Sequence, residues 1–269
     1  MKPLKAIIFD LDNTLLWDER SIDEAFQATC SLATDAAMVD AQALERAVRE
    51  NSLELFTAMA CYDFAKMIEV THLEALWGRF DASRHPSFQA LAQLTPDYQK
   101  RSWTQGLLQL GIDNEQLGET LAARFAQERR ERPYVYASTF EVLNALQNKY
   151  ELLLITNGAP DLQQEKIDSI PDLAAYFDHI VISGSFGRGK PDPTIFKHAL
   201  QLLNRTAEET IMVGDNIETD IRGAIGVGMR NVWINHDQRP APHELKPSYE
   251  VGALEELLLL PPIVRTESD

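Results

Sequence analysis

The first strand of the chain, and the polar turn that ends it, constrain the fold more than any other stretch. Ala6 to Phe9 form a short apolar run without polar alternation. Such a run is typical of a strand buried on both faces, in the middle of a parallel sheet covered by helices. The run stops at Asp10 and Asp12, and Asn13 then tolerates a left-handed turn. This end of a central strand is where open α/β sheets bind ligands. The pattern suits a cation site joined to a nucleophile, although by itself it also suits a polar turn.

A long stretch of helical periodicity separates this strand from the rest of the sheet. Apolar residues recur at three-and-four spacing over residues 21–132. Roughly 110 residues is far more than the dozen or so that a crossover between parallel strands requires. We therefore predict a separate helical domain over residues 17–135, inserted into a core made of residues 1–16 and 136–269.

Local signals within this stretch predict where its helices start and stop. Ser21 and Glu24 match a capping box, with serine as the N-cap. The dipeptides His85-Pro86 and Thr95-Pro96 predict breaks between helices, since the residue before a proline disfavours helical backbone.

Beyond residue 136 the pattern changes to short apolar strands that alternate with helices. This alternation predicts right-handed parallel βαβ units, and hence a doubly wound α/β sheet. At Asp192-Pro193 a helix start is predicted, because aspartate suits the N-cap and proline the first helical position. The further strands are predicted at residues 152–155, 180–182, 211–213 and 232–234, and the helices at residues 161–170, 193–203 and 219–225.

Polar side chains recur where these strands end. Besides the two aspartates after the first strand, they are Thr156 and Asn157 after the second, Lys190 after the third and Asp215 after the fourth. Because the ends of parallel strands lie on one edge of a sheet, we expect these side chains to converge. Crowded carboxylates repel one another unless a hard cation lies among them, and Mg²⁺ prefers carboxylates, carbonyls, waters and phosphate. A lysine suits a phosphate oxygen as a point charge. The set therefore predicts a phosphoryl-transfer site.

Four motifs in this order resemble those of the haloacid dehalogenase (HAD) superfamily. They are Asp10-Leu-Asp12-Asn-Thr14, Thr156-Asn157-Gly158, Gly189-Lys190-Pro191-Asp192-Pro193, and Gly214-Asp215 followed by Asp220. The resemblance covers nearly the whole chain, and the helical insert looks like the type-1 cap of that family. It implies a HAD-like Rossmannoid core with an inserted α-helical cap that closes over the site. Asn13 and Ser185 depart from the common pattern, which often has glycine and an acidic residue there.

The resemblance also implies a role for each motif residue. Asp10 would be the nucleophile that forms an aspartyl-phosphate, and Asp12 would act as general acid and then as general base. Mg²⁺ would be held by Asp10, the backbone carbonyl of Asp12 and Asp215, with Asp220 binding the metal through water or orienting its ligands. The phosphate-binding residues would be Thr156, Asn157 and Lys190, the last also catalytic. An aspartate at position 12 favours phosphate ester hydrolysis, since dehalogenating and phosphonate-cleaving relatives usually lack it.

Charge and cysteine content narrow the partners and the compartment. The net charge of −16, from 25 basic and 41 acidic side chains, disfavours nucleic acid polymers and anionic membranes. No apolar run approaches the ~20 residues of a membrane span, and Met1 leads almost directly into the first strand without a signal peptide. We therefore expect a cytoplasmic protein, with Cys30 and Cys61 as reduced core residues. His236 and His243, beyond the last predicted strand, are expected at the surface.

Taken together, these patterns and the resemblance predict a Mg²⁺-dependent phosphatase. Its substrate would be a small phosphorylated metabolite of the sugar phosphate, nucleotide, phosphoserine or phosphoglycolate type, and it would act as a monomer or homodimer. Two alternatives stay open: a mutase that moves phosphate within a sugar, and a non-catalytic regulator of the same fold. The second is disfavoured because a binding module has no use for an acid/base at Asp12.

Overall fold

The computed structural model describes residues 2–82 and 85–263, and within them six strands form one sheet. The strands are β1 (Ala6–Phe9), β2 (Glu151–Thr156), β3 (His179–Ile182), β4 (Thr210–Gly214), β5 (Arg230–Ile234) and β6 (Tyr249–Val251). Neighbouring strands run parallel in the order β3-β2-β1-β4-β5-β6. The predicted doubly wound sheet is confirmed. Only β6 was not predicted, because its three residues carry no apolar run.

β1 lies at the centre of the sheet, where the order of the strands reverses. Phe9 pairs with Leu154 of β2 on one side and with Val213 of β4 on the other. All four residues of β1 are fully buried. The residues that follow β1 therefore lie at the switch point, where a crevice opens between connections that leave in opposite directions.

In the part of the chain that the structure describes, seven α-helices lie between β1 and β2, and four more follow β2. They are α1 (Asp18–Ala37), α2 (Ala41–Thr57), α3 (Tyr62–Met67), α4 (His72–Ala75), α5 (Pro86–Gln109), α6 (Glu115–Arg130), α7 (Thr139–Leu146), α8 (Pro160–Asp168), α9 (Ser183–Phe186), α10 (Pro193–Leu203) and α11 (Arg222–Gly226). The predicted start of α10 is confirmed, since the Asp192 side chain accepts a hydrogen bond from the backbone N–H of Thr194.

Two predicted helix boundaries are wrong. Ser21 lies inside α1 instead of capping it, and its hydroxyl accepts a hydrogen bond from Arg129. Pro96 lies inside α5 instead of ending a helix. α5 buries residues on both sides of this proline, Leu91 and Trp103 among them. Burying large apolar side chains along the whole helix outweighs the ~3 kcal/mol that an interior proline costs.

The chain divides into two compact units. The sheet unit comprises Met1–Trp17, Val135–Asn157 and Ile170–Asp269, and the helical unit comprises Asp18–Tyr134 and Gly158–Ser169. α8 therefore belongs to the helical unit, and its Leu162 joins the core formed there. In that core Phe26 packs on Phe125, with ring centroids 4.5 Å apart. The two cysteines are free and buried in the same unit, as predicted.

Candidate active site

The loop that follows β1 is a tight turn that presents Asp10. The backbone N–H of Asp10 donates to the carbonyl of Val213 at 2.9 Å, which continues the pairing with β4 by one residue. Asn13 takes the left-handed backbone conformation, with φ of 57°. The N–H groups of Leu15 and Leu16 both lie 2.9 Å from the carbonyl of Leu11, so the loop is closed by its own backbone.

Three carboxylates converge at this edge of the sheet, and we call them the acidic cluster. One oxygen from each of Asp10, Asp215 and Asp220 lies within 4.8 Å of the others. Thr14 joins two of them: its hydroxyl lies 3.3 Å from Asp10 Oδ2 and 3.4 Å from Asp215 Oδ1, and it accepts the backbone N–H of Asp215 at 3.1 Å. The structure thus brings together residues that are more than 200 positions apart in the chain.

Asp220 reaches the cluster from an unusual turn. Ile217–Ile221 form one π-helical turn before α11, a feature that occurs frequently at functional sites. The Asp220 side chain is fully buried, and its Oδ2 accepts the backbone N–H of Asn216 at 3.1 Å. A Cβ on Gly214 would lie only 2.2 Å from that same Oδ2. Glycine is therefore required at position 214 for the carboxylate to approach the end of β4.

Lys190 is buried against the acidic cluster. Its Nζ lies 2.5 Å from Asp10 Oδ1, 2.7 Å from Asp220 Oδ1 and 3.0 Å from the carbonyl oxygen of Ile155. The Asn157 side chain holds the Lys190 backbone on both sides, accepting its N–H at 2.8 Å and donating to its carbonyl at 3.0 Å. Holding this loop is a role for Asn157 that the sequence did not predict.

The electrostatics of the cluster follow from burial. Burial raises the pKa of Asp10 to about 6, in spite of the opposing attraction of Lys190. Burial together with the negative charge of Asp10 holds the pKa of Asp215 well above its usual range. Burial disfavours the charged form of Lys190, but Asp10 and Asp220 outweigh it and keep the pKa of this lysine above its ordinary value. When all four groups are ionised, three negative charges against one positive leave a formal charge of −2.

The other predicted residues lie at the same edge but outside the cluster. Asp12 is half-buried in the loop after β1, and its side chain is not one of the three carboxylates that meet. Thr156 is buried at the end of β2. The contribution of the Asp12 backbone carbonyl to a metal stays a prediction.

Besides Asn157, three described residues around the site make contacts that were not predicted from the sequence. Thr14 is one of them, and the indole Nε1 of Trp233 donates to the backbone carbonyl of Asp215 at 2.8 Å. His236 is half-buried, and its Nε2 lies 2.9 Å from the carbonyl oxygen of Asn13. The expectation that His236 is a surface residue is therefore wrong. Its position two residues after β5, at the same sheet edge as the other polar residues, is the signal that could have found it.

The ligand atoms of the acidic cluster indicate which kind of metal ion it would bind. All three groups offer carboxylate oxygen, with no thiolate or imidazole among them, which suits a hard cation such as Mg²⁺. The raised pKa values of Asp10 and Asp215 show that their charges lack full compensation from the protein. A divalent cation would supply the missing two positive charges. The residues present therefore fit a magnesium ion.

Comparison with known proteins gives one family model and several relatives that match this chain. The family model for haloacid dehalogenase-like hydrolases matches residues 4–228. The phosphoserine phosphatase of Thermus thermophilus is 36% identical over 259 residues, which cover 95% of this chain and 98% of that protein. The N-acylneuraminate-9-phosphatase of Mus musculus is 33% identical over 174 residues, which cover 63% and 70% of the two chains.

The solved structures include a similar fold from Bacillus subtilis. The crystal structure of the putative HAD-hydrolase YfnB, bound to magnesium, superposes with a TM-score of 0.66 at 21% identity and covers 96% of this chain and 98% of that one. At this identity the match supports the fold alone. Among the described residues, no helix is both long and apolar enough to cross a membrane.

Proposed function

The chain belongs to the haloacid dehalogenase-like hydrolase family and is a phosphatase of that family, and we propose that it hydrolyses small phosphomonoesters with Mg²⁺ through an aspartyl-phosphate on Asp10. The observation that carries this proposal is the acidic cluster with Lys190 against it. A site whose formal charge is −2 when its carboxylates are ionised, with a buried ammonium beside them, is suited to one divalent cation and one phosphate group.

Asp10 is the nucleophile in this proposal. A carboxylate oxygen of Asp10 attacks phosphorus, and the bond from phosphorus to the leaving oxygen breaks. Asp12 gives that oxygen its proton, so the product leaves as a neutral alcohol. Asp12 then takes a proton from water, whose oxygen attacks the phosphorus of the aspartyl-phosphate. This second step releases inorganic phosphate and returns the Asp10 carboxylate.

The remaining residues of the site would bind the metal ion and the phosphate group and hold them in position. Asp10, Asp215 and the backbone carbonyl of Asp12 would hold Mg²⁺, and Asp220 would orient the ligands. When bound, the ion neutralises phosphate oxygens. Lys190 already lies 2.5 Å from Asp10, so a phosphate attacked by that carboxylate also comes within reach of the ammonium group. Thr156 and Asn157 complete the phosphate site from the end of β2.

The helical unit is the part of the chain to which we assign substrate choice, as the resemblance to a type-1 cap implies. O-phosphoserine is the first substrate to test, because the relative named phosphoserine phosphatase matches over 98% of its length. Sugar phosphates, phosphoglycolate and nucleoside monophosphates complete the panel. Substitutions in the helical unit should change the ranking of these substrates by kcat/KM, whereas substitutions in the acidic cluster should lower kcat/KM on all of them alike.

The nucleophile is tested by Asp10→Asn, with Asp35→Asn as the matched control on an exposed aspartate of α1. We expect Asp10→Asn to lower kcat at least about a thousandfold on every substrate, because removal of a nucleophile disables the whole catalytic unit. The control should keep its activity, and both variants should retain the wild-type circular dichroism spectrum. Rapid quenching should trap labelled phosphate on the wild type and none on Asp10→Asn. A kcat near wild type in Asp10→Asn would refute the assignment.

A further inference from the structure

His236 contacts the loop that carries the proposed acid/base. It lies two residues beyond the end of β5, and its Nε2 is 2.9 Å from the carbonyl oxygen of Asn13. A carbonyl oxygen can only accept a hydrogen bond, so Nε2 must carry a proton and donate it. Asn13 directly follows Asp12, so this bond holds the Asn13–Thr14 peptide, one peptide beyond the one that joins Asp12 to Asn13.

The imidazole ring of His236 is held in the orientation that this bond needs. It stacks on Tyr136, with ring centroids 4.7 Å apart and an angle of 20° between the planes. Tyr136 in turn stacks on Trp17 at 5.4 Å and 16°. The backbone N–H of Tyr136 donates to the carbonyl of Leu15 at 3.2 Å. The three rings therefore form a column attached to the same loop that His236 contacts.

The loop has a conformation that benefits from such support. Asn13 has φ of 57°, a left-handed conformation that costs most residues roughly 1 kcal/mol or more, although asparagine adopts it more readily. The direction of the Asp12 side chain depends on the backbone angles at this turn. On the far side of the turn, Thr139 Oγ1 donates to the carbonyl of Leu15 at 2.8 Å. Contacts from distant segments thus hold both sides of the turn.

We infer that His236 is a positioning residue: by holding the Asn13 carbonyl it fixes the turn that directs the Asp12 carboxyl toward the leaving oxygen of the substrate. The inference rests on the proposed function, in which Asp12 protonates that oxygen. Its consequence is specific. Loss of the hydrogen bond should matter most for substrates whose leaving group needs a proton, and least for those whose leaving group is stable as an anion.

The test compares phenyl phosphate with p-nitrophenyl phosphate at saturating Mg²⁺. The quantity measured is kcat/KM, because it reports the steps up to departure of the leaving group. His236→Phe keeps a ring to stack on Tyr136 but removes the donor, whereas His236→Gln keeps a donor and removes the ring. We expect His236→Phe to lower kcat/KM about tenfold on phenyl phosphate and about twofold or less on p-nitrophenyl phosphate. His236→Gln should recover part of the loss on phenyl phosphate.

Two controls separate this inference from the proposed function. Asp12→Asn should also lower kcat/KM more on phenyl phosphate than on p-nitrophenyl phosphate, and by a larger factor than His236→Phe. We expect a loss of about a hundredfold or more on phenyl phosphate. His243→Phe, on an exposed histidine of the same segment, should leave both rates unchanged. If Asp12→Asn lowers kcat/KM equally on both substrates, the proposed acid/base role of Asp12 is refuted. Suppose that Asp12→Asn lowers kcat/KM more on phenyl phosphate than on p-nitrophenyl phosphate. If His236→Phe then lowers kcat/KM equally on both substrates, or on neither, only the role of His236 is overturned.

Discussion

Binding of Mg²⁺ should weaken as the pH falls, and the structure gives the size of the effect. Burial raises the pKa of Asp10 to about 6, so in the metal-free protein a proton competes with the metal for this carboxylate below that pH. The Kd for Mg²⁺ then rises about tenfold for each pH unit below the pKa. Binding is therefore about tenfold weaker at pH 5 than at pH 7. Asp215, whose pKa is also raised, adds to this dependence. Above about pH 7, Asp10 is ionised and its contribution vanishes.

The assay is isothermal titration calorimetry of Mg²⁺ into metal-free protein between pH 5 and pH 8. Repeating the titration at pH 5.5 in buffers of different ionisation enthalpy counts the protons released on binding. Asp10→Asn removes the titrating group, so it should release fewer protons and show a flatter dependence of Kd on pH. Asp35→Asn should match the wild type. A Kd that is constant from pH 5 to pH 7, or equal proton release from wild type and Asp10→Asn, would refute the reasoning.

Three further variants test individual contacts. Thr14→Val removes a hydroxyl shared by two carboxylates of the acidic cluster and should lower Mg²⁺ affinity and kcat about tenfold, with Thr14→Ser restoring most of both in calorimetry and steady-state kinetics. Gly214→Ala places a Cβ 2.2 Å from Asp220 Oδ2, so it should displace that carboxylate and lower kcat/KM about a hundredfold. Lys166→Met removes a buried cation 3.1 Å from Glu74 Oε1 and should lower the free energy of unfolding of the helical unit by about 3–5 kcal/mol in urea titrations.

Two of these variants have a matched control elsewhere in the chain, and Thr14→Val has the serine variant at its own position. Gly252→Ala places a Cβ no closer than 3.4 Å to Glu256 Oε1 and should leave kcat/KM unchanged. Lys66→Met, on an exposed lysine of α3, should change the free energy of unfolding by less than about 0.5 kcal/mol. Equal effects of a variant and its control would contradict the contact assigned to it. If Thr14→Ser fails to restore Mg²⁺ affinity and kcat, the site needs the shape of threonine and not its hydroxyl.

The meeting of the distant aspartates was predictable, because it needs only two local facts. Apolar runs identify buried parallel strands, and the carboxyl ends of such strands share one edge. Asp10 and Asp215 follow two such runs, so their proximity in the structure follows from the strand pattern. Asn157 and His236 also follow strand ends, so their place at this edge was predictable in the same way, but their contacts were not. Each depends on which loop lies opposite a side chain, and no periodic pattern records that.

Errors at helix boundaries have the same origin. Ser21 and Pro96 carry strong local signals, but packing across the helical unit decides their positions. A capping bond or an interior proline changes the free energy by about 1–3 kcal/mol, whereas burying several large side chains along one helix contributes more.

Sequence alone was sufficient for the class of fold, the order of the motifs and the residue types at the strand ends, since these are written in local periodicity and spacing. The tertiary structure decided how those residues interact. It set Lys190 between two carboxylates, raised the pKa of Asp10 by burial, required glycine beside Asp220 and placed His236 against the turn after Asp12. Burial and distance between residues far apart in the chain exist only after folding, so no local pattern can encode them.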